Sequence, residues 1–453
     1  MRNWLKALSH KITPTQFIVC SYATVIAMTT LLLVMPISVK PGAELSWIDA
    51  LFTAVSGVSV TGLTAVNTAE TFSVFGTFVL MISFQFGGIG IMALGTFLWL
   101  VLGRNISLSY RRLIMIDQNR HNLSGLVQLI RLLLFMALGI ELAGALIFGV
   151  YFRVQGFHDT WTESFYYGLF HAVSSYTNAG FDIYGNSLAS FANDYFVQFI
   201  TMLLLFLGAI GFPVLIEFRE FLMTRNRRFR FSLFTKVTTS MFVIMIVAGA
   251  LSIFILEHDM YFADKSWHEK LFFSLFNSIT TRSGGLSTMD VSEFYEPTQF
   301  ILSILMFIGA SPSSVGGGIR TTTFAIILLT LYTYAKGRSE VRVFRKSVKD
   351  EDVRKSFVVF TTGAILVVAG IVTLDWVEQQ KFSLFSVIFE VSSAFGTSGL
   401  SMGITGDLST VGKVIIMALM FVGRIGILSL LFLFRTGNRK EHYHYPKEDI
   451  IIG

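Results

Sequence analysis

Long apolar stretches run along this chain, and its polar residues gather in short segments between them. A helix needs about 20 apolar residues to cross a bilayer. Eight stretches meet that length, at about 15–37, 72–103, 126–152, 195–222, 234–257, 298–335, 356–377 and 410–435. The sixth is too long for one span and is interrupted by a glycine-rich segment.

A second pattern recurs at intervals of roughly one hundred residues. Its copies are Phe52–Leu63 (FTAVSGVSVTGL), Phe170–Phe181 (FHAVSSYTNAGF), Leu275–Leu286 (LFNSITTRSGGL) and Phe389–Leu400 (FEVSSAFGTSGL). In each, an apolar residue stands ten positions before a glycine (Gly62, Gly180, Gly285, Gly399), and Leu or Phe follows it. Each copy lies between two apolar runs. Ten to twelve residues are too few to span and too apolar for an exposed loop, so each copy predicts a re-entrant half-helix ending in a glycine loop. Non-helical backbone at membrane depth must be buried in protein or line a water-filled cavity. The expected fold is an all-α multi-span membrane protein, in which four membrane–pore-loop–membrane repeats supply eight transmembrane helices around one pore with pseudo-fourfold symmetry. The repeats divide at 12–104, 105–230, 231–345 and 346–436, with a tail at 437–453.

Three half-helices open on Trp47-Ile-Asp49, Trp161-Thr-Glu163 and Trp267-His-Glu269; the fourth opens on Phe382-Ser-Leu384 and lacks the acid. A carboxylate in a first helical turn is favoured by the helix dipole, and the tryptophans fit an interfacial belt.

Composition agrees with a membrane protein: 53% of the 453 residues are hydrophobic and 14% charged, with mean hydropathy +0.65. The net charge of +6 would suggest nucleic acid if it were clustered on one soluble face. Instead the basic residues concentrate in alternate loops, at 104–125, 217–236 and 336–355, which predicts cytoplasmic loops and termini. The first of these holds Arg104, Arg111, Arg112 and Arg120. Arg2, Lys6 and Lys11 precede a run too long for a cleaved signal peptide, so that run is expected to be the first span. Cys20 lies within it as a space-filling thiol without an intrachain partner. No HExxH, CxxC or Gly-Lys-Ser/Thr motif is present to suggest an enzyme.

The chemistry expected of four such loops is that of a cation pathway. Backbone carbonyls can replace the hydration shell of a monovalent cation, and glycine admits backbone angles closed to other residues. Half-helix C-termini would aim partial negative charge at the same cavity. The loops carry no ring of acidic side chains, which argues against divalent binding by carboxylates.

Other features stand out within the apolar runs. Gly87-Gly-Ile-Gly90 and Gly208-Ala-Ile-Gly211-Phe-Pro213 predict close helix packing and a local kink. The segment 309–320, with Gly309, Ser311, Pro312, Ser313, Ser314, Gly316, Gly317, Gly318 and Arg320, must break its helix at mid-membrane. It predicts a mobile constriction beneath the glycine loops. Arg424 and Glu141 are intramembrane charges, which usually face a cavity or a partner. Arg424 is expected to point toward the pore, tether 309–320 and oppose cation passage; Glu141 is expected to form structural hydrogen bonds. An ion-coupled carrier with alternating access is the competing class, but its repeats are commonly inverted and these are parallel.

The motifs VTGL (60–63), TNAGF (177–181), TRSGGL (281–286), GTSGL (396–400) and FVGRIG (421–426) resemble the Trk/Ktr/HKT superfamily of potassium transporters, most closely the membrane subunit of bacterial Ktr systems. The resemblance implies a K+ filter at Val60, Thr61 and Gly62, at Asn178, Ala179 and Gly180, at Ser283, Gly284 and Gly285, and at Thr397, Ser398 and Gly399. Its coordinating carbonyls would be those of Thr61, Gly62, Ala179, Gly180, Gly284, Gly285, Ser398 and Gly399. It implies an intramembrane gate at 309–320 held by Arg424, a membrane homodimer with one pore per protomer, and no covalently bound cofactor. A cytosolic nucleotide-binding ring of the RCK type would regulate it, and sodium stimulates several members. Gly62, rather than serine, favours potassium. Ser283-Gly284 departs from the Thr-Ala expected there, Arg320 stands in place of lysine, and Pro312 is unusual.

Overall fold

A computed structural model describes residues 14–91, 93–94, 126–224 and 229–433, with 446, 448 and 450 as isolated positions. The proposed boundary at 104/105, the arginines of 104–125, Arg225, Arg227 and Arg228, and all the tail but those three positions lie outside the described residues.

Within them, one order of helices recurs four times. A long helix is followed by a short one and then by a second helix that breaks. The long helices are α1 (Pro14–Val34), α4 (Leu126–Val154), α8 (Leu233–Leu256) and α12 (Asp350–Glu378). These four are long and apolar enough to cross a membrane. The half-helices are α2 (Trp47–Ser59), α5 (Trp161–Tyr176), α9 (Trp267–Thr280) and α13 (Leu384–Gly396). The second helices are α3 (Val74–Ile89), the pair α6 (Tyr195–Ala209) and α7 (Phe212–Thr224), the pair α10 (Glu296–Phe307) and α11 (Thr321–Ala335), and the pair α14 (Thr410–Ile425) and α15 (Ile427–Leu433).

The half-helices run 13 to 16 residues, longer than the ten to twelve expected. The added residues are at their N-termini, in the opening turn that Trp47, Trp161 and Trp267 mark in the first three, and a hydroxyl residue caps each. Asp49, Glu163 and Ser386 donate backbone N–H groups to Ser46 Oγ, Thr160 Oγ1 and Ser383 Oγ. Ser266 and Glu269 form a reciprocal capping box, which satisfies donors that a helix start leaves unpaired. Ser383 does in the fourth half-helix, without an acid, what Ser46 does in the first.

The second helices depart further from expectation. The runs 195–222 and 410–435 read as continuous spans, with a kink foreseen only in the first of them. Both are cut, with bends of 105° between α6 and α7 and 100° between α14 and α15. Gly211 (φ +100°) and Gly426 (φ +87°) reverse the backbone there, and α3 ends likewise at Gly90 (φ +99°). Hydropathy cannot register such a cut, because apolar residues continue on both sides of it. The run 298–335 is divided by the loop between α10 and α11, as its glycines and Pro312 foretold.

One large apolar core joins α1–α6 to α12–α14. Trp47, Trp161 and Trp267 remain more than half exposed at the half-helix entrances, as residues of an interfacial belt do. Cys20 is free but exposed, so it does not fill space in the core. The basic segment after α11 forms a small antiparallel hairpin, Arg342–Val343 with Lys346–Ser347.

Candidate ion pathway

At the inner end of each half-helix the chain turns back, and all four turns meet. A Cβ placed on Gly62 would lie 2.8 Å from the Ala179 carbonyl oxygen and 2.9 Å from Gly180 Cα. One on Gly180 would lie 2.8 Å from Gly285 Cα, one on Gly285 2.9 Å from the Ser398 oxygen, and one on Gly399 3.0 Å from Gly62 Cα. The four glycines therefore close a ring in chain order, with backbone where any side chain would stand. All four have positive φ, between +72° and +94°.

The residue two places before each glycine also has positive φ: Val60 (+56°), Asn178 (+54°), Ser283 (+76°) and Thr397 (+48°). Left-handed backbone costs an L-residue about 1–2 kcal/mol, and it is a clear outlier for β-branched Val60 and Thr397. Backbone of alternating hand allows successive peptide groups to turn toward the same side.

Hydrogen bonds hold that shape. In the first, second and fourth turns the N–H groups of Thr61, Ala179 and Ser398 donate to the carbonyls of Ser56, Ser174 and Ser393, the longer bond of a Schellman helix end. Gly62 N–H donates to Ser56 Oγ at 3.1 Å and Gly399 N–H to Ser393 Oγ at 3.0 Å. Ser174 Oγ and Thr280 Oγ1 instead donate to the carbonyls of Phe181 and Leu286, each at 2.6 Å. In the third turn Gly284 N–H reaches only to Thr280 O. That turn is one residue tighter, so the uniform ten-residue spacing conceals a shift of register. Thr61, Ala179, Ser398 and the four positive-φ residues before the glycines are all fully buried.

Directly against this ring lies the loop from Gly309 to Arg320. Gly317 N–H donates to Ser283 Oγ at 3.4 Å, and Ser283 Oγ donates to the Thr397 carbonyl at 2.5 Å. The loop is pinned from every side. Ser311 and Val315 donate backbone N–H groups to the carbonyls of Ala209 and Gly208, Phe212 N–H donates to Ser313 O, and Gly318 N–H donates to Gly423 O. Ser314 Oγ donates to Ser311 O at 2.6 Å, and Pro312 O faces Gly211.

Arg424 is 8% exposed. Its guanidinium donates to the carbonyls of Val315 and Gly316 on the loop and of Gly87 and Gly88 on α3. Arg320 Nη1 donates to Gly316 O at 2.5 Å and to Ser311 O at 3.4 Å. Below the loop opens a cavity of about 240 Å³ that reaches Arg320, Arg424, Ser314 and the first turn of α11.

Sequence reading found Arg424 and Glu141 among the buried charges but missed others. Glu141 accepts from Gln85 Nε2 at 2.5 Å. Arg282, fully buried in the third turn, donates to Ile308 O at 2.5 Å. Glu390 accepts from the hydroxyls of Ser401 and Thr405, clasping the segment beyond the fourth turn. Lys413 Nζ meets Asp49 Oδ1 at 2.7 Å, joining α14 to α2 across 364 positions. Each lies in a motif or apolar run whose pattern it barely disturbs, so only the fold reveals its partner.

The family described as "TrkH: Cation transport protein" matches residues 6–443 of the chain. Among curated relatives, Ktr system potassium uptake protein D of Bacillus subtilis is 53% identical over 453 residues, covering 100% of both chains. Ktr system potassium uptake protein B of the same organism is 36% identical, covering 98% of this chain and 97% of its own. The fold matches the crystal structure of the potassium transporter TrkH from Vibrio parahaemolyticus with a TM-score of 0.74 at 18% identity, over 94% of this chain and 86% of that one.

Proposed function

The chain belongs to the TrkH family of cation transport proteins, and from that premise we propose that it is the potassium-selective, channel-like subunit of a Ktr-type potassium uptake system in the cell membrane. The names of the two Bacillus relatives supply the ion and the system. At residue level the reading is carried by the closed ring of four positive-φ glycines. Carbonyls of Thr61, Gly62, Ala179, Gly180, Gly284, Gly285, Ser398 and Gly399 replace the water around a potassium ion in this reading, as carbonyl rings do in potassium channels. The pore loops belong to four repeats, at 12–104, 105–230, 231–345 and 346–436.

The loop Gly309–Arg320 is the gate, held shut through Arg424 and Arg320. It opens under control of a cytosolic nucleotide-binding ring, which docks on the face carrying the basic segments; both termini lie on that face. The protein acts as a membrane homodimer, and sodium stimulates it.

The test is cation flux into liposomes holding the native chain with its cytosolic ring. Potassium entry exceeding sodium entry is expected. Sodium-preferring entry would overturn the substrate, and absence of potassium entry with the ring present would overturn the role.

A further inference from the structure

A pathway for cations is expected to expose oxygen atoms, yet the charged groups reaching the cavity below the loop are both positive. Of the described residues that line it, Arg320 and Arg424 are the only ones with ionised side chains. The two guanidinium groups stand close together, since both donate to the same carbonyl, that of Gly316. Among the described residues neither forms an ion pair with a carboxylate. Their hydrogen bonds go to neutral carbonyl oxygens, which orient the groups but do not offset their like charges.

The rest of the lining is also suited to negative charge. Helix α11, 15 residues long, begins at Thr321 with no side-chain cap, and its first-turn residues Thr322 and Thr323 line the cavity. A helix start concentrates partial positive charge and free N–H groups. Arg424 is more than nine-tenths buried, and its Nε has no hydrogen-bond partner. Ser314 and Ser429 add hydroxyls to the same wall. A cleft lined by one sign of charge concentrates the opposite ion, and planar guanidinium groups pair well with oxyanions.

We propose that this cavity is an anion site, which takes a phosphate-type oxyanion between Arg320, Arg424 and the first turn of α11. The anion is a stronger acceptor than a neutral carbonyl. It therefore competes with the carbonyls of Ser311, Val315 and Gly316 for the two arginines, loosens the loop, and offsets the positive charge that a departing cation meets. Bound anion favours conduction.

The probe is radiolabelled orthophosphate in equilibrium dialysis against the purified full-length protein in detergent. Saturable binding displaced by sulfate is expected. Arg320→Gln should weaken it by at least about tenfold, the equivalent of roughly 1.4 kcal/mol. Thr323→Glu keeps both arginines, places a carboxylate where the helix dipole tolerates it, and should abolish binding. Displacement by phosphatidylglycerol micelles would identify the occupant as a lipid headgroup; insensitivity to them would identify it as the free anion. Absence of saturable binding, or binding unchanged in both variants, would overturn the proposal. In liposomes, internal potassium phosphate should then support faster potassium flux than potassium gluconate, and Thr323→Glu should remove that difference.

Discussion

Single residues decide the shape of the glycine ring. Gly62 at φ +94° has the Ala179 carbonyl and Gly180 Cα where a side chain would go, so serine there must displace backbone of the neighbouring turn. Gly62→Ser is expected to lower the potassium-to-sodium permeability ratio by about tenfold, roughly 1.4 kcal/mol, read as reversal potential or relative liposome flux; an unchanged ratio in a folded variant would count against the filter. Ser56 and Ser393 hold the glycine N–H groups of the first and fourth turns. Replacing either with alanine leaves a buried donor unpaired, at about 1–3 kcal/mol, and should lower the thermal unfolding temperature of the solubilised protein. The glycines were legible because their recurrence and their lack of a side chain point the same way. The left-handed backbone at Val60 and Thr397 was not, since β-branched residues argue against it.

Among the elements, the loop Gly309–Arg320 was legible by its composition and its tether to Arg424 by that buried charge, but its backbone attachments were not. Its backbone bonds run to Gly208, Ala209, Phe212 and Gly423, residues whose own sequence context speaks only of packing. Deleting Val315–Gly318 removes the Val315 and Gly316 carbonyls that Arg424 and Arg320 hold. Basal potassium flux should rise at least about tenfold, as it would if a closed preference of roughly 1.4 kcal/mol were lost. Unaltered flux from a variant that inserts normally and elutes as the native protein does would show that the loop is no gate. The cuts at Gly211 and Gly426 escaped a reading based on apolar length, because length counts residues and a reversed φ changes only direction.

For the molecule as a whole, the order of long helix, half-helix and second helix was readable from hydropathy and recurrence. The contacts that close the circle were not, because they join residues far apart in sequence. Lys413 and Asp49, 10% and 18% exposed at their side chains, tie the last half-helix neighbourhood to the first. Lys413→Ala should cost about 1–3 kcal/mol of stability, measured by thermal unfolding, and exchanging the two residues should recover part of it. No recovery on exchange would mean that packing, rather than charge, joins these helices. Helix α15 also packs against α1, and Gly399 abuts Gly62. The described helices thus come full circle, and the first of them has the last as a neighbour much as any interior unit has the next. Order around the ring is then set by contacts between neighbours rather than by where the polypeptide is opened: a circular permutant cut within the exposed hairpin at 342–347, with a linker joining the original ends, should trace the same ring.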